Sequence, residues 1–348
     1  MFPWGQATAG ENRHPQGHGV QRDTRPLHRQ GAARRTGQAV EEAESGGHPG
    51  TQPARLLTSR PPPAAVAPHR RRRFPGEREI DSDAASDASI TGAIETNGAE
   101  FLLALGRAAG AEVREDGRVR WAIGNSPIDY HNCVVGADLC PEEADVEITA
   151  SIERLRTHDV PGTWHVGPSM RPPDLGARLV AHGFEYGGDD IGMAADLSTL
   201  PEEVPVPANF AVERVRDGAG LAAWIETLGS GFGEGPVEAE WVGEMYLRLG
   251  LDRDGTWRHY LGRLDGEPVA TATLFFGAGV AGVYFVYTVE RTRRRGIGAT
   301  VTLAALREAG DMNFTVGVLG SSEMGYPVYR RLGFEEYCRI GFYEWHPR

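Results

Sequence analysis

The order of strands and helices predicted for the second half of the chain limits its fold more than any other feature. Apolar periodicity and turn signals predict β-α-α-β-β-β-α-β-α-β over residues 209–348. Three consecutive strands followed by alternating helices and strands indicate one mixed sheet with helices on both faces. The expected fold class is therefore mixed α/β.

A glycine-rich loop, residues 293–298, joins a predicted strand to a predicted helix and reads Arg-Arg-Arg-Gly-Ile-Gly. Its glycines let the backbone approach a ligand closely. The first amides of the helix, around residues 296–300, have no partner within the helix. Together with the helix dipole and the arginines they form an anion site suited to a pyrophosphate. A turn with solvated arginines is the alternative interpretation.

Two other phosphate-binding loops fit this segment poorly. A Walker A loop requires a lysine, and this chain contains none. A dinucleotide-binding fingerprint requires a third small residue where Val301 stands, and it opens a long series of strand–helix units. The chain is too short after Val301 for such a series.

Residues 209–348 resemble the GNAT acyltransferase superfamily, whose members use acetyl-CoA. Three motifs in the family's order carry the resemblance. The loop Arg/Gln-x-x-Gly-x-Gly/Ala matches residues 293–298, residues 284–289 match the fourth strand, and residues 329–334 match Tyr-x-x-Leu-Gly-Phe. The resemblance implies that the fourth strand splays at a bulge and that its free backbone groups pair with pantetheine.

The resemblance also implies a reaction and a set of site residues. The chain would transfer an acetyl group from acetyl-CoA, as co-substrate, directly to an amine, without a metal. Tyr329 would act as general acid, since a phenol with a pKa near ~10 can protonate the leaving thiolate; a core tyrosine is the alternative. The implied cofactor-binding residues are Val286, Tyr287, Thr288, Arg293, Arg294, Arg295, Gly296, Ile297, Gly298, Ala299, Thr300 and Ser322.

The general base and the acceptor pocket are less well defined by the sequence. Three acids near the motifs are candidate bases, although each is expected to be an exposed charge: Glu238, Glu290 and Glu323. Three aromatic residues could line a substrate pocket, although core packing is the stronger expectation: Trp241, Tyr246 and Trp257.

An internal repeat extends the GNAT prediction to the first half of the chain. Residues 179–186 resemble residues 329–337, and their Gly-Phe-Glu cores begin at Gly183 and Gly333. The repeat predicts two GNAT-like acyl-CoA N-acyltransferase domains. Residues 89–198 would form a degenerate domain, residues 199–208 a proline-rich linker, and residues 209–348 the N-acetyltransferase domain.

The first copy lacks the residues that carry the chemistry. The same offset places residues 143–148, which contain three acids and no glycine, opposite the loop, and it places Leu179 opposite Tyr329. Acidic side chains would repel a pyrophosphate. We therefore expect the first half to be a scaffold or a wall of the substrate cleft.

Residues 1–88 are rich in Gly, Pro and Arg and are predicted to be a disordered tail. The run of arginines at Arg70–Arg73 could bind nucleic acid, but a solvated tail or an upstream extension is the simpler interpretation. The remainder of the chain is acidic, which disfavours nucleic acid as the main partner.

Composition bounds the cellular context. Three cysteines cannot form a disulfide framework and have no metal-ligand spacing. The sequence contains no run of 18 apolar residues, so it predicts no membrane span, and we expect a cytoplasmic protein. The expected partners are acetyl-CoA and an amine acceptor, with a homodimer left open. Mycothiol-forming acetyltransferases are two-domain relatives in the superfamily. The alternative function is a non-catalytic CoA-binding or sensing module.

Overall fold

The computed structural model describes residues 87–251 and 255–347. Nearly all of the predicted tail, residues 1–88, therefore lies outside the described residues. The first described element is a 23-residue helix, Asp87–Ala109.

The two halves of the described chain repeat one order of elements in their later parts, namely two strands, a helix, a strand, a helix and a strand. The first half contains α1 (Asp87–Ala109), β1 (Glu112–Arg114), β2 (Val119–Ile123), β3 (Cys133–Ala137), α2 (Pro141–His158), β4 (Gly162–Val166), α3 (Leu175–Ala181) and β5 (Glu185–Asp196). The second half contains β6 (Phe210–Arg214), α4 (Gly218–Gly229), α5 (Pro236–Leu249), β7 (Trp257–Leu264), β8 (Glu267–Gly277), β9 (Val280–Thr288), α6 (Ile297–Asp311), β10 (Val316–Ser321), α7 (Tyr326–Arg331) and β11 (Glu335–Trp345).

All of these strands belong to one mixed sheet of 11 strands, in the order β1-β2-β3-β4-β11-β5-β10-β9-β8-β7-β6. The pairs β3–β4 and β9–β10 are parallel, and the other pairs in the described residues are antiparallel. The mixed α/β class predicted from the order of elements is confirmed.

The last strand of each half crosses to the other half. β5 lies between β10 and β11, and β11 lies between β4 and β5. Consequently β5, from the first half, borders the last parallel strand of the second half. The predicted linker, residues 199–208, lies in sequence between β5 and β6, and both strands belong to the same sheet.

Helices cover both faces of the sheet. On one face α1, α4 and α5 pack around Phe101, Trp224, Tyr246 and Phe285. On the other face α6 and α7 pack on the strands of the second half, and α2 and α3 pack on those of the first half. We call these the α1 face and the α6 face.

Local signals explain several helix ends. Asp217 caps α4 by accepting a hydrogen bond from the main-chain N–H of Gly220 at 2.8 Å. Gly310 lies inside α6, and the helix continues to Asp311. Asn313, with φ of 69°, takes the left-handed conformation after the helix.

The predicted linker does more than join two parts of the chain. It begins with a short 3-10 helix, Leu197–Thr199. Val204 and Val206 then pack against the core of the α6 face. None of the helices in the described ranges has the length and apolar character that crossing a membrane requires.

Candidate active site

The neighbouring strands β9 and β10 separate partway along their length. They pair only at Ala281 with Gly317 and at Gly282 with Val318. Beyond this point β9 bulges, because its register with β8 jumps and Phe285 takes a φ of 50°. Within the described chain, no β10 residue pairs with residues 286–288, so one backbone edge of β9 is open there. This is the splay that the sequence predicts.

The loop after β9 leads directly into the N-terminus of α6. Gly296 stands at the N-cap with φ of 79°, and no side chain caps the first turn. The amides at the start of α6 therefore point outward without a capping partner, as an anion site requires. A Cβ at Gly296 would overlap the main-chain oxygen of Pro205, so the linker lies directly against this loop.

A cavity of about 480 Å³ opens between the splay, the loop and α7. Of the predicted site residues, the following line it: Val286, Tyr287, Thr288, Arg293, Arg294, Gly296, Ile297, Gly298, Ala299 and Tyr329. Three predicted residues, Arg295, Thr300 and Ser322, are not among its lining residues. Arg295 is exposed, whereas Ser322 is buried just beyond β10.

Five lining residues were not predicted from the sequence: Val204, Met324, Gly325, Val328 and Arg331. Four of them lie beside or within the 329–334 motif. Their closeness to Tyr329 in sequence is the signal from which they could have been predicted. Val204 belongs to the predicted linker and carries no local signal. Its place in the wall depends on how the linker packs.

The arginines of the loop differ in their environment. The Nε of Arg293 donates a hydrogen bond to the main-chain oxygen of Thr288 at 3.0 Å. Its guanidinium lies 5.7 Å from the centre of the Tyr287 ring. These contacts hold Arg293 across the end of β9. Arg294 and Arg331 add positive charge to the wall of the cavity from the loop and from α7.

Tyr329 projects from α7 into the region where β9 and β10 separate. Its side chain is only 6% exposed, and its ring contacts Phe334 edge to face at 5.9 Å. Burial raises the pKa of Tyr329 well above its ordinary value. The phenol is therefore protonated at neutral pH, as a proton donor must be.

Comparison with known proteins agrees with this geometry. Residues 223–334, which extend from α4 to the end of the 329–334 motif, match the sequence model of the acetyltransferase (GNAT) family. Residues 223–334 therefore form a GNAT-family domain. No curated protein sequence matches the chain.

Solved structures show the same GNAT fold. A GCN5-related N-acetyltransferase from Kribbella flavida is 20% identical, with a TM-score of 0.57, and the match covers 71% of this chain and 93% of that one. A GCN5-related N-acetyltransferase from Sphaerobacter thermophilus is 17% identical, with a TM-score of 0.50, over 76% of this chain and 95% of that one. Both matches are longer than the GNAT half alone.

Among the acids weighed as bases, Glu238 was wrongly expected to be exposed. Glu290 and Glu323 are exposed, whereas Glu238 is fully buried in the first turns of α5. Its carboxylate accepts hydrogen bonds from the Tyr130 hydroxyl and from the main-chain N–H of Glu234. Burial raises the pKa of Glu238 to about 7. Glu238 is not among the cavity-lining residues.

The three candidate pocket aromatics belong to the GNAT core. Tyr246 and Trp257 are buried in the α1-face core, and Trp241 packs against it. None of the three lines the cavity described above.

The first half of the chain has no equivalent glycine-rich loop in its described residues. The counterpart of α6 is α2, which begins at Pro141 and has Glu142 and Glu143 in its first turn. No glycine precedes it at residues 138–140, and Cys140 occupies its N-cap. Leu179, the counterpart of Tyr329, is fully buried in the core.

One group of potential metal ligands lies in the described ranges, apart from the cavity lining. Atoms of Asp129, Glu344 and His346 that could bind a metal lie within 4.8 Å of one another. Burial raises the pKa of Asp129 and of Glu344. His346 is exposed, and these three side chains carry no step of the chemistry below.

Proposed function

We propose that this protein transfers an acetyl group from acetyl-CoA to an amine. The cavity at the separation of β9 and β10 carries the proposal, because it joins an anion site to a buried proton donor. At one end are the amides of the α6 N-terminus with Arg293 and Arg294, and at the other is Tyr329. Its volume of about 480 Å³ lies within the range of small-molecule sites.

Each part of the cavity suits one part of acetyl-CoA. The α6 amides and the two arginines suit the pyrophosphate. The open edge of β9 over residues 286–288 offers backbone donors and acceptors to the amide groups of an extended pantetheine arm, as a neighbouring strand would. This pairing would hold the thioester where the strands part, close to Tyr329.

In the proposed reaction the amine nitrogen forms a bond to the carbonyl carbon, and the carbon–sulfur bond breaks. Tyr329 donates its phenolic proton to the departing sulfur, and the nitrogen loses a proton. Because burial raises the pKa of Tyr329, this donation is favourable only when the thiolate is also kept from water and thereby becomes more basic.

Calorimetric titration of the full chain with acetyl-CoA tests the cofactor. Arg293→Ala should weaken binding by about tenfold, the effect of losing one charged contact to a phosphate. Arg291→Ala is the matched control, because Arg291 is exposed on the same loop and is not a cavity-lining residue. Absence of binding by the folded wild-type protein would contradict the proposal.

Release of the CoA thiol with a panel of primary amines tests the reaction. Tyr329→Phe should lower turnover by about a hundredfold or more, as loss of a general acid does, while the affinity for acetyl-CoA changes less than about threefold. Saturable binding without thiol release from any amine would instead support the non-catalytic CoA-binding alternative.

A further inference from the structure

Asp190 is a buried acid in the middle of β5, the strand that the first half contributes to the second. Its side chain is fully buried, and neither carboxylate oxygen has a hydrogen-bond partner among the described residues. Burying a carboxyl group without a hydrogen-bond partner costs several kcal/mol of folding free energy. This cost is about as large as the stabilisation from burying one whole core side chain. Groups of this kind in a folded protein call for a functional explanation.

The register of the sheet brings Asp190 to the level at which β9 bulges. Ile191 pairs with Ser321, so Asp190 stands opposite Ser322. Ser321 is three residues beyond Val318, and Phe285 is three residues beyond its partner Gly282. Asp190, Ser322 and the open edge of β9 therefore lie in one row across the separated strands. Asp190 is about one strand spacing, ~5 Å, from Ser322.

The side chain of Asp190 points to the α1 face. Ile191 and Met193 pack in the α6-face core, so residues 190 and 192 face the other way. Ile94 of α1 lies over Gly192, which confirms this direction. Tyr329 approaches the same separation from the α6 face. A thioester held in the gap would thus have Tyr329 on one side and Asp190 on the other.

The charge of Asp190 acts on Tyr329 across the separation of the strands. Burial, and then the charge of Asp190, raise the pKa of Tyr329. Burial, and then the charge of Asp189, raise the pKa of Asp190 well above its ordinary value. Asp189 itself points to the α6 face and is paired with Arg339 at 2.9 Å, so it cannot serve Asp190 as a hydrogen-bond donor.

We propose that Asp190 binds the acceptor amine at the separation of β9 and β10 and removes its proton before attack. This inference rests on the proposed acetyl transfer and makes the first half of the chain part of the active site. An ammonium group supplies the hydrogen-bond donors that the two Asp190 oxygens lack. The acceptor class is therefore a primary amine that approaches from the α1 face as an ammonium ion.

The proton balance assigns each group one role. The raised pKa of Asp190 favours its protonated form in the empty site, and Asp190 releases that proton to solvent as the ammonium ion binds. As carboxylate it then takes one proton from the ammonium ion, which leaves a neutral amine with a free electron pair. The nitrogen then bonds to the carbonyl carbon, the carbon–sulfur bond breaks, and Tyr329 gives its proton to sulfur. The nitrogen returns a second proton to the tyrosinate, and Asp190 is left protonated, as it began.

Two CoA thioethers test the ammonium site without knowledge of the natural acceptor. S-aminoethyl-CoA and S-propyl-CoA have the same chain length and differ in an ammonium group in place of a methyl group. The wild-type full chain should bind the aminoethyl compound at least about tenfold more tightly, because its charge pairs with a desolvated carboxylate. Asp190→Asn should reduce this preference to less than about twofold, with little change for S-propyl-CoA.

Asp189→Asn is the matched control and should keep the full preference, since Asp189 lies on the opposite face. Asp190→Asn should melt no lower than wild type, because an amide of the same size replaces a buried carboxyl group that has no hydrogen-bond partner. Equal binding of the two thioethers by wild type, or a preference that survives in Asp190→Asn, would overturn the inference while leaving acetyl transfer intact. If neither thioether nor acetyl-CoA binds, the proposed function fails and the inference fails with it. If Asp190→Asn does not fold, the inference is tested by the preference of the wild-type protein between the two thioethers and by the loss of that preference in Asp190→Ala.

Discussion

Replacing Gly296 with alanine tests both the anion loop and the linker that covers it. Gly296 has φ of 79° at the N-cap of α6. Alanine in this left-handed conformation costs about 1–2 kcal/mol. The new Cβ would also overlap the main-chain oxygen of Pro205, and backbone cannot rotate away as a side chain can. The linker must therefore move.

The packing of the linker sets the size of the second cost. Val204 and Val206 are partly buried against the α6-face core, and a shift of Pro205 pulls both away from it. Losing part of the burial of two valines costs about 1–2 kcal/mol. The total is about 3 kcal/mol, which corresponds to a fall in melting temperature of about 6–12 °C at roughly 2–4 °C per kcal/mol for a chain of this size.

Thermal and urea unfolding of Gly296→Ala measure this loss, and Gly310→Ala in the same helix is the control. Gly310 lies inside α6, and a Cβ there meets no atom within 4 Å. Alanine should therefore stabilise the helix at Gly310, by about 0.5–1 kcal/mol. The reasoning is refuted if Gly296→Ala unfolds at the wild-type midpoint, or if both substitutions act in the same direction.

Two further substitutions test buried charges. Glu308 accepts hydrogen bonds from the half-buried Arg214 and the buried Arg258 at 2.7 Å each. Glu308→Ala should therefore destabilise the protein by about 3 kcal/mol in urea unfolding. The control Glu244→Ala, which removes an exposed ion pair, should cost less than about 0.5 kcal/mol. Because burial raises the pKa of Glu238 to about 7, the folded protein binds its proton more tightly than the unfolded chain, and stability should fall as pH rises from about 4.5 to 7. Glu238→Gln should flatten this part of the pH profile by up to about 3 kcal/mol, and an unchanged profile would contradict the assigned pKa.

The cavity lining around β9, the glycine-rich loop and α6 could be anticipated because its signals are local in sequence. A strand, a glycine-rich loop and a helix N-terminus follow one another over residues 280–311, and their geometry depends on neighbours in the chain. The position of Tyr329 follows in the same way, because it is placed by a short helix and the Gly333 turn. Ser322 lies near this region but is not among the cavity-lining residues, since its side-chain direction depends on where β10 ends.

The acceptor side could not be anticipated, because it depends on pairing between distant strands. Asp190 is an acid within an apolar strand of the first half, and nothing near it in sequence indicates a site. In sequence, Glu238 cannot be distinguished from other acids at helix starts. Its burial depends on Tyr130, more than a hundred residues away, whose hydroxyl donates a hydrogen bond to it. The role of Val204 as part of the cavity wall likewise depends on how the linker packs.

The sequence by itself determined the mixed α/β class, the glycine-rich loop at Arg293–Gly298 and the lack of such a loop before the matching helix of the first half, because these follow from local periodicity, glycine conformation and charge. The tertiary structure decided how the two halves share one sheet. By inserting β5 between β10 and β11, it brought Asp190 beside the strands that part around Tyr329. The physical reason is that strand order is set by long-range hydrogen bonds and burial, which no short segment of the chain encodes.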